Sequence, residues 1–364
     1  MIGLPRDGNG AGVPFLRKRF DGIEGFDVCW AGSHPFEPGF CFGSTDGRLL
    51  LTDETGQALG DVVKSSASGE AINGVASWQD WVSISTRAEV TFDCVGPRKT
   101  RLMFDVGSHG VIATKSGYFL APLGPSGLMT LKPQAGAPNQ AVDIINPSAG
   151  QAYFYRVICL RAPDGGEVLA FAHRTSGLGA MLFTGSEDHP LNEISYAGLD
   201  VIDVCAVPRA DAPLAVAAVG KDGTLILSRD ALHDKHPVTM RFEQVQGAAY
   251  RLLSARGHLF LLTSQALYLM FGLAERFLSR EPVTKSPAPV AVVPMEAVDA
   301  NLYQDEWLLT VMPDEVHAHF IGEGRQDNLE IVRRKEIRSL TPTALSHSWS
   351  EQELHPNRTG AGVG

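Results

Sequence analysis

The stretch Leu214–Arg229, LAVAAVGKDGTLILSR, sets the strongest limit on what this chain can fold into. An apolar run ends at Val219, Gly220-Lys221-Asp222-Gly223 follows, and a second run alternates apolar and polar residues through Ser228. Asp-Gly between two such runs signals a tight hairpin, because the turn needs positive φ and glycine supplies it without a Cβ clash. The same pattern recurs along the chain. Hairpins are expected at Phe40–Leu51 (tip Asp46-Gly47), Trp81–Phe92 (Arg87-Ala88), Val111–Leu120 (Ser116-Gly117) and Val168–Phe183 (around Ser176-Gly177). After the Asp222-Gly223 hairpin come Leu259–Phe271 (Gln265-Ala266) and Trp307–Ile321 (Pro313-Asp314-Glu315). A small polar residue precedes most tips: Ser44, Ser85, Thr114, Thr175 or Thr263.

A third apolar segment precedes each hairpin: Phe26–Trp30, Ile72–Ser77, Leu102–Val106, Tyr153–Leu160, Val201–Val207, Tyr250–Leu253 and Val298–Tyr303. Reference positions Val28, Val75, Val106, Val157, Val204, Leu252 and Ala300 are separated by 47, 31, 51, 47, 48 and 48 residues. A period in the forties, with three strands and room for a fourth, is that of one propeller blade. Arg98–Met103 and Thr239–Val245 are candidate fourth strands. The short step implies tight loops in blade two, and the long step an insertion at Lys132–Gly150. Phe15–Asp21 is similar to the fourth-strand segment Met240–Val245, so the N-terminus is expected to complete the last blade and close the ring; Leu329–Ile337 is the rival closing strand.

On these repeats the chain resembles a seven-bladed β-propeller of WD40-like architecture, without the Trp-Asp dipeptide or a kelch double glycine, so no specific family is indicated. The expected fold is all-β, a single closed ring over residues 15–338, with flexible tails at 1–14 and 339–364. The 38 Gly and 22 Pro agree with a turn-rich chain. No apolar run has the ~18 residues of a membrane span, and the N-terminus lacks a signal-peptide core. Cys29, Cys41, Cys94, Cys159 and Cys205 sit in strand-like runs and read as buried thiols of a reducing cytoplasm. The net charge of −10 argues against bulk attraction to nucleic acid or anionic lipid.

Three clusters have the residue types for chemistry. His317 and His319 share one strand face and, with Asp314, Glu315 or Glu323, have the makings of a metal site. His233, Asp234 and His236 form a second polar group, in a loop. Asp27, Asp105 and Asp203 each precede a reference valine, and convergent carboxylates at a channel mouth would suit a cation or acid–base work. Solvated strand faces and loop caps are the better account of all three, so no metal, cofactor or catalytic residue is assigned. The expected function is a non-enzymatic protein–protein interaction scaffold, a subunit of a larger cytoplasmic assembly. The rival is a propeller hydrolase or lyase with its site at the channel mouth. Partner-binding residues are expected at the tips, where Arg87, Lys115, Arg174 and Lys221 form an arc of cations for an acidic protein, and at Trp78 and Trp81; should the tips not bind, the opposite face carries His34, Trp78 and Trp81.

Overall fold

The structure, a computed structural model, describes residues 26–334 except 54–57, 60–62, 65, 96–99, 138–139, 141, 146–153, 174–176, 185–191, 196–199, 208, 284–287, 294–296, 304–306, 313–315 and 322–331. The described residues form seven four-stranded antiparallel sheets, each a meander in chain order. Sheet 1 holds β1 (Val28–Ser33), β2 (Gly39–Ser44), β3 (Arg48–Asp53) and β4 (Val63–Lys64). Sheet 2 holds β5 (Ile72–Trp78), β6 (Trp81–Thr86), β7 (Val90–Cys94) and β8 (Arg101–Phe104). Sheet 3 holds β9 (Ile112–Ala113), β10 (Phe119–Pro122), β11 (Leu128–Leu131) and β12 (Asp143–Ile145). Sheet 4 holds β13 (Phe154–Arg161), β14 (Glu167–His173), β15 (Gly177–Phe183) and β16 (Asn192–Ser195). Sheet 5 holds β17 (Val201–Ala206), β18 (Val216–Gly220), β19 (Leu225–Ser228) and β20 (Val238–Met240). Sheet 6 holds β21 (Ala249–Ala255), β22 (His258–Thr263), β23 (Leu267–Met270) and, after a short helix α1 (Leu273–Leu278), β24 (Val290–Val293). Sheet 7 holds β25 (Asp299–Tyr303), β26 (Trp307–Val311), β27 (Val316–Ile321) and β28 (Val332–Arg334).

The hairpin tips follow from local chemistry. Gly223 and Gly47 turn with φ of 85° and 79°, as the Asp-Gly dipeptides require. Elsewhere a buried hydroxyl does the work: Thr86 Oγ1 accepts the N–H groups of Ala88 and Glu89, and Thr263 Oγ1 those of Gln265 and Ala266. In sheet 2 the capping residue is Thr86 rather than Ser85, which instead donates to Asn73 Oδ1.

Sheet 3 corrects the reading of the repeat by one strand. Arg101–Phe104 is the outer strand of sheet 2, in agreement with Arg98–Met103 as a candidate fourth strand, and the overlapping segment Leu102–Val106 is not the first strand of sheet 3. The first strand of sheet 3 is β9, whose two residues are too few to show a pattern, and its second–third turn falls at Leu123–Gly127. The stretch read as an insertion supplies the outer strand β12. The uneven steps of 31 and 51 residues come from this shift, because an apolar outer strand was paired with the turn that follows it.

Each sheet packs on the next through its own apolar core, as shown by the seven clusters between neighbours. One of them joins the two ends of the chain: Phe26, Val28, Phe40, Phe42 and Leu50 of sheet 1 meet Tyr303, Leu309, Val311 and Val316 of sheet 7. There the Tyr303 ring lies 4.8 Å from Phe40, and its hydroxyl accepts the Gly39 N–H at 3.1 Å. The position beside β27 is taken by β28, inside the rival segment Leu329–Ile337, while Phe15–Asp21 lies outside the described residues. The proposed tails 1–14 and 339–364 also lie outside them.

The first strands carry polar links from sheet to sheet. Cys29 Sγ–H donates to Ile72 O, Asn73 Nδ2 to Ser108 O, and Asn301 Nδ2 to Ala31 O, the last joining sheet 7 to sheet 1. Asp203 accepts the Leu252 N–H at 2.7 Å, and Arg251 Nε donates to Ala300 O at 3.1 Å. Sheets 3 and 4 are joined by a reciprocal backbone pair between Gly124 and Phe154. Buried polar groups are costly unless paired, so these links fix the relative placement of the first strands.

Candidate partner-binding groove

In a meander, the first–second and third–fourth connections open on one face and the second–third tips on the other. The described site residues divide accordingly. Arg87 and Lys221 are exposed on the tip face, at sheets 2 and 5. Arg174 lies outside the described residues. Lys115 is exposed but sits in the β9–β10 turn, on the opposite face. The arc of four tip cations is therefore broken, and the cause is the one-strand shift in sheet 3.

Lys115 instead joins a groove of about 1030 Å³ between sheets 3, 4 and 5. Its rim carries four cations, Lys115, Lys132, Arg161 and Arg209, and one carboxylate, Glu167. Two of these charges are already spent. Glu167 accepts the Ser116 N–H at 2.9 Å and the Ser116 hydroxyl, which ties the β9–β10 turn to β14. Arg209 pairs with Asp211 at 2.6 Å and Glu275 at 3.2 Å and donates to Leu278 O. Lys115, Lys132 and Arg161 have no ion-pair partner among the described residues and are solvent-exposed. The Lys132 ammonium stands 5.3 Å from the Tyr118 ring centre, and Tyr118 packs edge-on to Phe183. Leu160, Ala206 and Pro213 add apolar lining. The Cys159 thiol also faces the groove, but burial, followed by Glu167, pushes it up to about 12, so it is a neutral thiol and no nucleophile at neutral pH.

The two tryptophans behave differently. Trp81 is buried in the core between sheets 2 and 3 and offers no surface to a partner. Trp78 is half-buried, with its ring over the β9–β10 turn, where a Cβ on Gly117 would come within 2.7 Å of it. His34 staples its own turn: Nδ1 accepts the N–H groups of Phe36 and Glu37, and burial lowers its pKa.

The three chemical clusters do not assemble as expected. Asp27 and Asp105 are exposed, and only Asp203 reaches the channel. A bulge in each of five first strands sets the true alignment, which places Trp30, Gly74, Arg156, Asp203 and Arg251 at one level. Asp299, one residue before Ala300, joins Arg251 there at 3.6 Å. The set is mixed in charge. In the loop cluster, Asp234 accepts from the Ser228 hydroxyl and the His236 N–H, and His233 pairs with Asp230. His317 and His319 fall in β27, but Asp314, Glu315 and Glu323 lie outside the described residues. Among the described residues no three His, Cys, Asp or Glu side chains gather as metal ligands.

Against solved structures, the chain is similar to the β-propeller domain of Cps50 (Swd1) from Myceliophteria thermophila. The TM-score is 0.60 at 8% identity, over 83% of this chain and 99% of that one. The fold is a β-propeller. No protein-family model matches the chain, and no curated protein matches its sequence. The likeness at this identity speaks for the fold, so the function has to be argued from the groove.

Proposed function

We propose that this propeller is a closed ring of seven blades acting as a non-enzymatic interaction scaffold, a subunit of a larger cytoplasmic assembly, and that the groove between sheets 3, 4 and 5 receives an acidic segment of another protein. The observation that carries the reading is the groove's charge. Three cations with no ion-pair partner among the described residues, Lys115, Lys132 and Arg161, rim an apolar floor on a protein of net charge −10. Local positive potential on an acidic body steers an anionic partner and raises its association rate. The half-buried Tyr118, backed by the buried Phe183 ring, offers ring surface to an aliphatic or aromatic side chain lying between the partner's carboxylates. A membrane or nucleic-acid partner is disfavoured by the overall charge.

The competing reading, catalysis at the channel mouth, needs a carboxylate free to move a proton. Asp203 holds both oxygens on backbone N–H groups, those of Val204 and Leu252. Burial raises the Asp203 pKa against the opposing pull of Arg251, Arg156 and these two donors, and the donors fix the group in place.

The test compares two charge-reversed variants of the full chain. In one, Lys115, Lys132 and Arg161 are replaced by Glu; in the other, Arg87 and Lys221 are. A copurifying protein identified from the native host should lose affinity for the first variant and keep it for the second, with the wild-type complex weakening as salt rises. Loss confined to the second variant would move the site to the tip face.

A further inference from the structure

The channel has an arginine whose hydrogen-bonding capacity is largely unspent. Arg156 of β13 faces a cavity of about 370 Å³ lined by first-strand residues, among them Asn73, Gly74, Val111 and Asp203. Its side chain is a quarter exposed, to this cavity. The nearest carboxylate is Asp203, whose Oδ1 is 3.8 Å from Arg156 Nε, beyond hydrogen-bond distance. Asp203 is occupied elsewhere, with Oδ1 on the Val204 N–H and Oδ2 on the Leu252 N–H. Arg251, the other arginine at this level, donates to Ala300 O and Asn301 Oδ1 and has Asp299 at 3.6 Å. Arg156 thus has no hydrogen-bond acceptor among the described residues, although a guanidinium carries five N–H donors.

Two glycines lie beside it. Gly74 stands at the level of Arg156, and Gly110 lies against the guanidinium: a Cβ at Gly110 would come within 2.6 Å of Arg156 Nη1. Gly110 also has φ of +148°, so glycine is required there for both conformation and space. Burial, then the like charge of Arg251, draw the Arg156 pKa down to about 10, and the group remains a cation at neutral pH.

We propose that Arg156 anchors a small oxyanion, a carboxylate or phosphate, in this cavity. Two oxygens of such a group match the parallel N–H donors of a guanidinium, and the pairing is stronger away from bulk water. Asp203 and Asp299 already offset part of the repulsion between Arg156 and Arg251, so the anion has to be held by directed N–H bonds rather than by net charge. Its size is bounded by the cavity, which is at the lower end of the range of ligand pockets. The site is distinct from the groove: the two share Ala206 of their lining, but none of the groove's charged residues lines this cavity.

The experiment is calorimetric titration of the full chain with inorganic phosphate and, separately, malonate, at constant ionic strength held with chloride. Wild type should bind at least one of them saturably, and the bound anion should raise Tm with the logarithm of its concentration. Arg156→Gln should weaken binding more than about tenfold, as expected for loss of a charge-assisted pair, while Arg156→Lys keeps part of it. The groove variant with Lys115, Lys132 and Arg161 changed to Glu should bind as wild type does. Phosphate without malonate would identify a tetrahedral oxyanion, and the reverse a carboxylate. The proposal is overturned if neither anion binds saturably below about 10 mM, a free energy weaker than about 3 kcal/mol, or if Arg156→Gln binds as tightly as wild type. Should Arg156→Gln fail to fold, equal binding by wild type and Arg156→Lys, with equal Tm response to both anions, overturns it as well.

Discussion

Tyr303→Phe probes the junction between the first and last sheets with one atom. Tyr303 is 3% exposed, and its hydroxyl accepts the Gly39 N–H across 264 residues of sequence. Removing the oxygen leaves that N–H without this acceptor in a buried place, which costs about 1–3 kcal/mol. Tyr303→Leu also removes the ring packed 4.8 Å from Phe40. An aromatic pair adds about 0.5–1.5 kcal/mol beyond area burial, so the larger change should cost about 2–4 kcal/mol. Urea unfolding followed by tryptophan fluorescence gives the size of each effect, and amide hydrogen exchange at Gly39 gives its place. The order expected is wild type, then Phe, then Leu, with Gly39 protection lost in both variants. A Tyr303→Phe protein within about 0.5 kcal/mol of wild type, the range of a neutral surface change, with Gly39 still protected, would refute a junction held at this point.

Three further outcomes are expected. Burial lowers the His258 pKa to about 4, and its Nδ1 accepts the Gly272 N–H, so the folded state holds it neutral. The unfolded chain takes up the proton near pH 6.5; stability from this group is therefore complete above that pH and lost as pH falls to about 4, by about 3 kcal/mol. Acid titration of unfolding should flatten in this window for His258→Asn, and an unchanged slope would contradict the assignment. Gly117→Ala should destabilise by about 1–2 kcal/mol or more, since φ is +91° and the added Cβ would meet the Trp78 ring, as a thermal melt would show. Truncation before residue 329 should lower Tm by removing β28 from the edge of sheet 7; a melt matching the full chain would mean that another segment covers β27.

The fold was legible wherever the local code was strong. Asp46-Gly47 and Asp222-Gly223 mark hairpins that the structure contains, because positive φ at a tip leaves few residue choices. Legibility failed at sheet 3, where β9 has two residues and the apolar segment 101–104 looks like any first strand. Outer and inner strands alternate alike, so periodicity alone does not tell them apart. That failure carried Lys115 to the wrong face. The channel set is half legible: the position before the reference residue gives Gly74, Arg156, Asp203, Arg251 and Asp299. In sheet 1 the same rule gives the exposed Asp27, since the bulge puts Trp30 there instead. Lys132 and Arg161 escaped detection because each stands alone in sequence and meets the other only across two sheets. The signal available was positional: both follow or close a strand, β11 and β13, at its groove-face end.

The claim that most needs testing is which face meets the partner, and the lysines are placed to report it. Lys115 and Lys132 border the groove, while Lys221 stands on the tip face. An amine-reactive cross-linker applied to the native complex, with the linked peptides read by mass spectrometry, should join Lys115 or Lys132 to an acidic stretch of the partner and leave Lys221 unlinked to it. Links from the partner to Lys221, with none to Lys115 or Lys132, would contradict the account.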